Sequence, residues 1–362
     1  MNLKPSLVHL VCSLLFLSFV VRADLLVSSY SSGRIFRFNE HTGQFIDIFV
    51  NTNNGGLSWP HGLAFGPDGH LYVASASNDC VLRFDGTNGT FLNAFVTNSA
   101  GGLDYPVWLE FRGDSLYVSS QLNNRVLRYA TNATSFSTFV ASGSGGLSGP
   151  SGMTFGPDGN LYVVGRFGNH VLRYDGTSGN FIDAFVPANS GILSQPFGCH
   201  FGPDGNFYVV SGNSNKVSRF NGTNGTFLSD FVVNGSGGLN FPIGLEFGPD
   251  NNLYVASISN NKIARFSSTN GAYLGDFVPA GPNGASSPNF MLFHTFPPPR
   301  IDSIRRSSTN VILNWLGRND TQLQFKTDVT QTNWFTVSNT LGRSSVTNAT
   351  TNKAAFYRLI RD

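Results

Sequence analysis

GMTFGPDGNLYVVGRFGNHVLRYDGTSGNFIDAFVPANSGILSQP (152–196) is the stretch that decides the fold. It holds four short apolar-rich runs separated by glycine-rich linkers. The same four runs read GLAF (62–65), LYVAS (71–75), VLRF (81–84) and FLNAFV (91–96) in an earlier copy. Their length, alternation and β-branched or aromatic content are those of strands. The Asp-Gly and Asn-Gly pairs between them suit hairpins, because Gly and Asn accept positive φ. Working outward from this copy, the phenylalanine that ends the first run recurs at Phe65, Phe111, Phe155, Phe201, Phe247 and Phe293, in steps of 46, 44, 46, 46 and 46 residues. A period near 45 with four strands per unit is the pattern of one β-propeller blade.

The two chain ends settle the blade count. Five units are complete, beginning at Phe65, Phe111, Phe155, Phe201 and Phe247. Leu25 to Val50 matches only the last three strands of a unit, and Pro288 to Phe293 matches only the first. Together they make a sixth blade, closed by pairing the ends of the repeat region, which removes the open sheet edge that a linear array would leave. The expectation is an all-β chain with a six-bladed propeller over 24–296.

The pattern GPDGNLYV, followed by an Asn-containing turn, V-x-R-[FY] and [DN]-G, resembles the NHL-repeat family and, more loosely, the streptogramin-lyase-like propellers. The resemblance covers nearly all of 25–293. It implies a fold and leaves function open, since such propellers include binding scaffolds, lyases and lactonases. One departure concerns function. Where the family repeat has YVAD, this chain has Ser75, Ser120, Gly165, Ser211 and Ser257, so a role for that aspartate does not carry over.

Residues 1–23 read as a secretory leader: Lys4 near the start, an apolar stretch from Leu7 to Val21, and Val21-Arg22-Ala23 before Asp24. The stretch is too short and wrongly flanked for a stable span. These features predict a secreted, periplasmic or cell-surface bacterial protein with no membrane span once the leader is gone, and most simply a monomer. Pro297-Pro298-Pro299 forms a stiff linker to 300–362. There VILNWL (311–316), TQLQFKT (321–327), NWFTVS (333–338) and AAFYRLI (354–360) read as strands of a small sandwich-like domain, and the segment resembles the fibronectin- or immunoglobulin-like tails of secreted bacterial proteins. Residues 24–299 carry 12 basic and 17 acidic side chains, a net of −5, whereas 300–362 carry 9 and 4, a net of +5. A propeller of net −5 argues against nucleic acid as its partner. Cys80 and Cys199 fall in distant blades, which predicts two separate thiols.

A position filled alike in every blade does one structural job six times, so function is sought where the repeat breaks. The arginines at 37, 83, 128, 173, 219 and 265 fill one register and read as structural partners of the turn aspartates. The tetrapeptide Arg112-Gly113-Asp114-Ser115 matches a cell-adhesion motif, but it stands in place of a GPDG turn and reads as a turn. On the first strand, the residue before the recurring phenylalanine is Ala64, Glu110, Thr154, His200, Glu246 and Leu292, while its predecessor is always apolar. The variable register therefore faces the central channel. Glu110, His200 and Glu246, with His61, are candidate acid–base groups; the first three are also candidate ligands for a divalent cation, beside the plainer reading of a solvated channel lining. Other breaks cluster near the start of the first strand. Trp59, Tyr105 and Phe241 precede its proline, and Trp108 replaces its glycine. Phe197 follows the proline of its blade, and Arg166 and Phe167 replace small loop residues. These residues plug the ring or stack on a ligand.

Two function classes follow. The first is a non-enzymatic binding scaffold that engages a protein, peptide or carbohydrate through its loop-rich face. The second is a metal-assisted lyase or lactonase-type hydrolase at the channel mouth. No nucleophile motif, phosphate loop or CxxC pair appears, which puts the scaffold first.

Overall fold

The computed structural model describes residues 23–132, 135–188, 191–282, 284–296, 301–307, 310–315, 321–326, 333, 335–337, 345–349 and 356–361. Apart from Ala23, the leader expected over 1–23 lies outside the described residues, as does the proline run at 297–299. Six four-stranded antiparallel sheets form the blades of a propeller. The first blade runs Pro60–Phe65, Leu71–Ser75, Cys80–Phe84 and Phe91–Val96 from axis to rim. The second (106–140), third (150–186), fourth (196–232) and fifth (242–278) repeat this order. In the sixth, Pro288–Thr295 is innermost and pairs with Ala23–Ser29, followed outward by Arg34–Asn39 and Phe45–Val50. The ring is closed between the two ends of the repeat region, as the register required. Among the described residues, short 3₁₀ turns are the only helical segments.

The repeating residues explain the stacking of blades. A buried tyrosine on the second strand of one blade meets the recurring phenylalanine of the next edge to face: Tyr72–Phe111, Tyr117–Phe155, Tyr162–Phe201, Tyr208–Phe247 and Tyr254–Phe293, with ring centroids 4.9–5.2 Å apart. The hydroxyls of Tyr72, Tyr162, Tyr208 and Tyr254 donate to the turn aspartates Asp68, Asp158, Asp204 and Asp250 at 2.9–3.1 Å. Those aspartates also lie 2.5–3.9 Å from Arg83, Arg173, Arg219 and Arg265, which gives the arginine register its structural role. Arg112 donates to the carbonyls of Gly159 and Gly176 and lies over the Phe155 ring, so it is engaged with the third blade as part of a turn. Cys80 and Cys199 are buried and unpaired with each other.

The chain divides into two compact units, 23–294 being the propeller. In the other, two three-stranded sheets are described: Ile301–Ser307, Asn310–Trp315 and Ser345–Ala349, and Thr321–Lys326, Phe335–Thr336 and Phe356–Arg361. Leu313, Trp315, Leu323, Val337 and Leu359 are buried together. The strands at 301–307 and 345–349 carry too little apolar alternation to be read from sequence.

Candidate functional site

Each inner strand starts at a proline and reaches the recurring phenylalanine five residues later. Antiparallel pairing puts the proline ends and the loops between second and third strands at one end of the propeller, and the GPDG turns at the other. The residue after the proline and the residue before the phenylalanine are three apart, or about 10 Å along a strand. The pairing register also breaks between them, as at Pro60/Leu63 and Pro196/Cys199. These two registers therefore lie toward opposite ends of the axis.

At the GPDG end lies a cavity of about 280 Å³ lined by Glu110, Thr154, His200 and Glu246 from four successive blades. The variable register faces the channel, as its alternation with apolar residues implied. Nε2 of His200 is 3.7 Å from Oε1 of Glu246, and Nδ1 of His200 donates to the carbonyl of Phe201 at 2.6 Å. The indole N–H of Trp108 reaches Oε2 of Glu110 at 3.4 Å. Burial pushes the Glu110 carboxyl up to about 7, opposed by the Trp108 hydrogen bond and by His200. Burial likewise raises Glu246, again opposed by His200. Burial and the nearby charge of Glu110 hold the Cys199 thiol well above its usual range.

The inner floor of this cavity is a plug. Trp108 and Phe290 meet edge to face at 4.9 Å, and both line the cavity. Val107, Phe197, Ile243 and Phe290 belong to one buried cluster, which joins inner strands of four blades across the axis. Trp108 and Phe290 occupy the position that is glycine in the other blades. There neighbouring inner strands touch backbone to backbone, and a Cβ on Gly152 or Gly244 would sit 2.5 or 2.4 Å from the next carbonyl oxygen. In the two blades that break the rule, a serine on the second strand supports the change. Ser119 Oγ accepts from the Trp108 amide at 2.8 Å, and Ser28 Oγ from the Phe290 amide at 3.0 Å. The other blades have Ala74, Val164, Val210 and Ala256 at this register.

At the loop-rich end, the residue before each proline is left-handed: Trp59, Tyr105, Gly149, Gln195, Phe241 and Ser287 have φ of 45–61°. That geometry is costly for residues with a Cβ. In five of the six a side chain of the preceding blade holds it in place; before Trp59 that position is Gly33. The amides of Tyr105 and Phe241 donate to Oδ1 of Asp79 and Asn215, both at 2.7 Å. The aromatic side chains are thereby fixed around the axis. His61 is buried between them. Its ring makes edge contacts with Tyr30 and Tyr105, its Nδ1 accepts from Asn289 at 2.8 Å, and its Nε2 lies 3.4 Å from the Tyr105 hydroxyl. Burial and the charge of Arg166 push His61 down to about 3. The Arg166 guanidinium lies over Phe197 at 4.2 Å and Phe167 at 5.3 Å. Its Nε is buried with no hydrogen-bond partner, and among the described residues no carboxylate pairs with it. Trp59 and Phe167 flank this cluster and are 45% and 53% exposed.

The structure thus brings Glu110, His200 and Glu246 to one cavity and separates His61 from them by the length of the plug. His61 therefore lies at the other end of the axis from the other three candidate acid–base groups. No group of three His, Cys, Asp or Glu side chains among the described residues is arranged to hold a metal ion, so the three candidate cation ligands share a cavity without forming a ligand set. Trp108 and Phe197 are plug residues; Trp59, Tyr105, Arg166, Phe167 and Phe241 border the loop-rich end. His294 lies on the innermost strand and stacks on Phe65 at 3.3 Å. Tyr30 escaped the sequence reading. It stands at the same loop position as Arg166, where other blades have Ala76, Gln121, Gly212 and Ile258, and that break was its signal.

No protein-family model matches the chain, and no curated protein matches it. Solved structures do. A chain of a nidogen/laminin complex is 16% identical, covers 75% of this chain and 98% of its own length, and superposes with a TM-score of 0.61. A streptogramin B lyase is 14% identical, covers 94% of this chain and 98% of its own, with a TM-score of 0.51. The likeness is one of fold. It matches the NHL-type and streptogramin-lyase-like propeller resemblance drawn from the repeat.

Proposed function

We propose that this chain is an exported binding scaffold whose loop-rich end engages a protein or carbohydrate ligand outside the cytoplasm. One observation carries the reading. Arg166, a guanidinium without a carboxylate partner among the described residues, lies over the rings of Phe197 and the exposed Phe167, and the exposed Trp59 stands against Tyr30 at the same end of the propeller. A partly buried guanidinium stacked on aromatic rings, with exposed rings at the same end, is the composition of an interaction hot spot. The rigid ring of blades pre-organises these groups, which lowers the ordering cost of binding. The nidogen/laminin neighbour, a propeller within a complex of proteins, is consistent with this use of the fold. The leader-like pattern of residues 1–23, Lys4 followed by the apolar stretch Leu7 to Val21, supports export. The rival, metal-assisted chemistry at the channel, needs Glu110, His200 and Glu246 as one ligand set, and their arrangement does not favour it.

The test compares the purified chain with a variant carrying Trp59→Ala, Arg166→Gln and Phe167→Ala, both immobilised and exposed to an array of extracellular proteins and glycans. We expect a ligand of the parent chain to lose about a hundredfold in affinity on the variant, the size expected from removing a hot-spot cluster. Ligands that bind both chains equally would overturn the reading. Unchanged melting of the variant confirms that the fold is intact.

A further inference from the structure

We propose that the cavity at the GPDG end is a second binding site, for a primary amine with an apolar body. Its ammonium group lies between Glu110 and Glu246, and its body lies on the Trp108–Phe290 floor. This site is independent of the loop-rich end, from which the plug separates it.

The sign of the ligand follows from the lining. Two glutamates face the cavity, and among the described residues no lysine or arginine does. Glu246 is only 17% exposed, yet no described residue donates a hydrogen bond to it. Its nearest polar neighbour, Nε2 of His200, is 3.7 Å away. Nδ1 of that ring is taken up by the Phe201 carbonyl, and the Glu246 carboxyl keeps acceptor capacity that a donor on a ligand would fill. Glu110 has one contact, with the Trp108 indole, and keeps further acceptor capacity. A primary ammonium offers three N–H donors and one positive charge, which matches this set.

The floor decides what the ammonium is attached to. Trp108 and Phe290 are aromatic, and Leu109, Met291 and Leu292 add hydrocarbon walls. Indole and phenyl faces attract a cation and cover an apolar body. A volume of about 280 Å³ holds about nine water-sized units, the scale of a small organic molecule. A hard metal cation fits less well. Calcium takes roughly six to eight oxygen ligands, and the described acids and histidines form no three-ligand group here.

Calorimetry on the purified protein at pH 8, above the value of about 7 to which burial raises Glu110, tests the site with phenethylamine, its uncharged counterpart 2-phenylethanol, and calcium chloride. We expect the amine to bind at least about tenfold more tightly than the alcohol, the difference that charge-assisted hydrogen bonds supply. Glu246→Gln and Glu110→Gln should each weaken the amine by about tenfold and leave the alcohol unchanged. Both variants keep a polar side chain of the same shape, and a preserved melting transition verifies folding. Equal binding of amine and alcohol, or amine affinity indifferent to both glutamine variants, would sink the proposal. So would calcium binding that displaces the amine. Arg166→Gln should leave amine binding untouched; if it abolishes binding, the amine sits at the loop-rich end and this inference fails while the scaffold reading survives.

Discussion

Glu110 is held protonated by its surroundings up to about pH 7, against an ordinary value of 4.5. The consequence for stability has a definite sign. Below about pH 4.5 the carboxyl is neutral in both the folded and unfolded chain. Between there and pH 7 the unfolded chain gives up the proton and the folded chain keeps it, so stability falls as pH rises. Above pH 7 a constant penalty remains. Glu110→Gln removes it, so the variant should match the parent near pH 4 and exceed it by about 1–3 kcal/mol at pH 8, allowing for solvent access to the cavity. Urea denaturation at a series of pH values measures this; a difference that does not vary with pH would contradict it. The carboxylate was legible in the sequence because its register alternates with always-apolar neighbours, and alternation fixes the face. The isolation of His61 was not legible. Its three-residue displacement from the Glu110 register is in the sequence, but the register break inside the strand leaves no compositional mark.

Among strands, the paired exceptions carry the lesson. All six inner strands and their hairpins could be placed from turn residues and period. The reason two of them lose their glycine could not, because the compensation lies on a different strand. Trp108 needs Ser119 and Phe290 needs Ser28, and each serine hydroxyl satisfies a backbone amide that would otherwise be buried without a partner. A single unit shows only a small polar residue in an apolar strand. Across units, serine accompanies the bulky residue and alanine or valine accompanies glycine. Ser119→Ala should therefore cost about 1–3 kcal/mol, the price of one buried, unsatisfied donor. The matched control is Ala74→Ser in the first blade, where Gly62 makes the bulge without help and no comparable gain is expected. Thermal or urea unfolding of the two variants decides the point, and equal effects at both positions would refute the pairing.

At the scale of the whole molecule, closure is what the two ends of the repeat region supply. The inner strand Pro288–Thr295 and the outer three strands from 23–50 are more than 230 residues apart in sequence, yet they form one sheet. Their interface with the first blade differs from the other five. Leu26 stands where the stacking tyrosine would be, and His294 stacks on Phe65 instead. Phe290, from the same closing strand, also forms half of the axial plug and lies in the cluster shared by inner strands across the ring. The closing strand is thus tied to the hub as well as to its own blade. A chain ended after Phe296 retains every blade strand, whereas one ended after Ser287 loses the innermost strand, half the plug and the wall of the axial cavity. The first should unfold in one cooperative transition close to that of the propeller in the full chain. The second exposes an unpaired sheet edge along Ala23–Ser29 and should be aggregation-prone, without a cooperative transition. Calorimetry and light scattering on the two chains separate these outcomes. A cooperative, monodisperse chain ending at Ser287 would show that the hub holds without the closing strand.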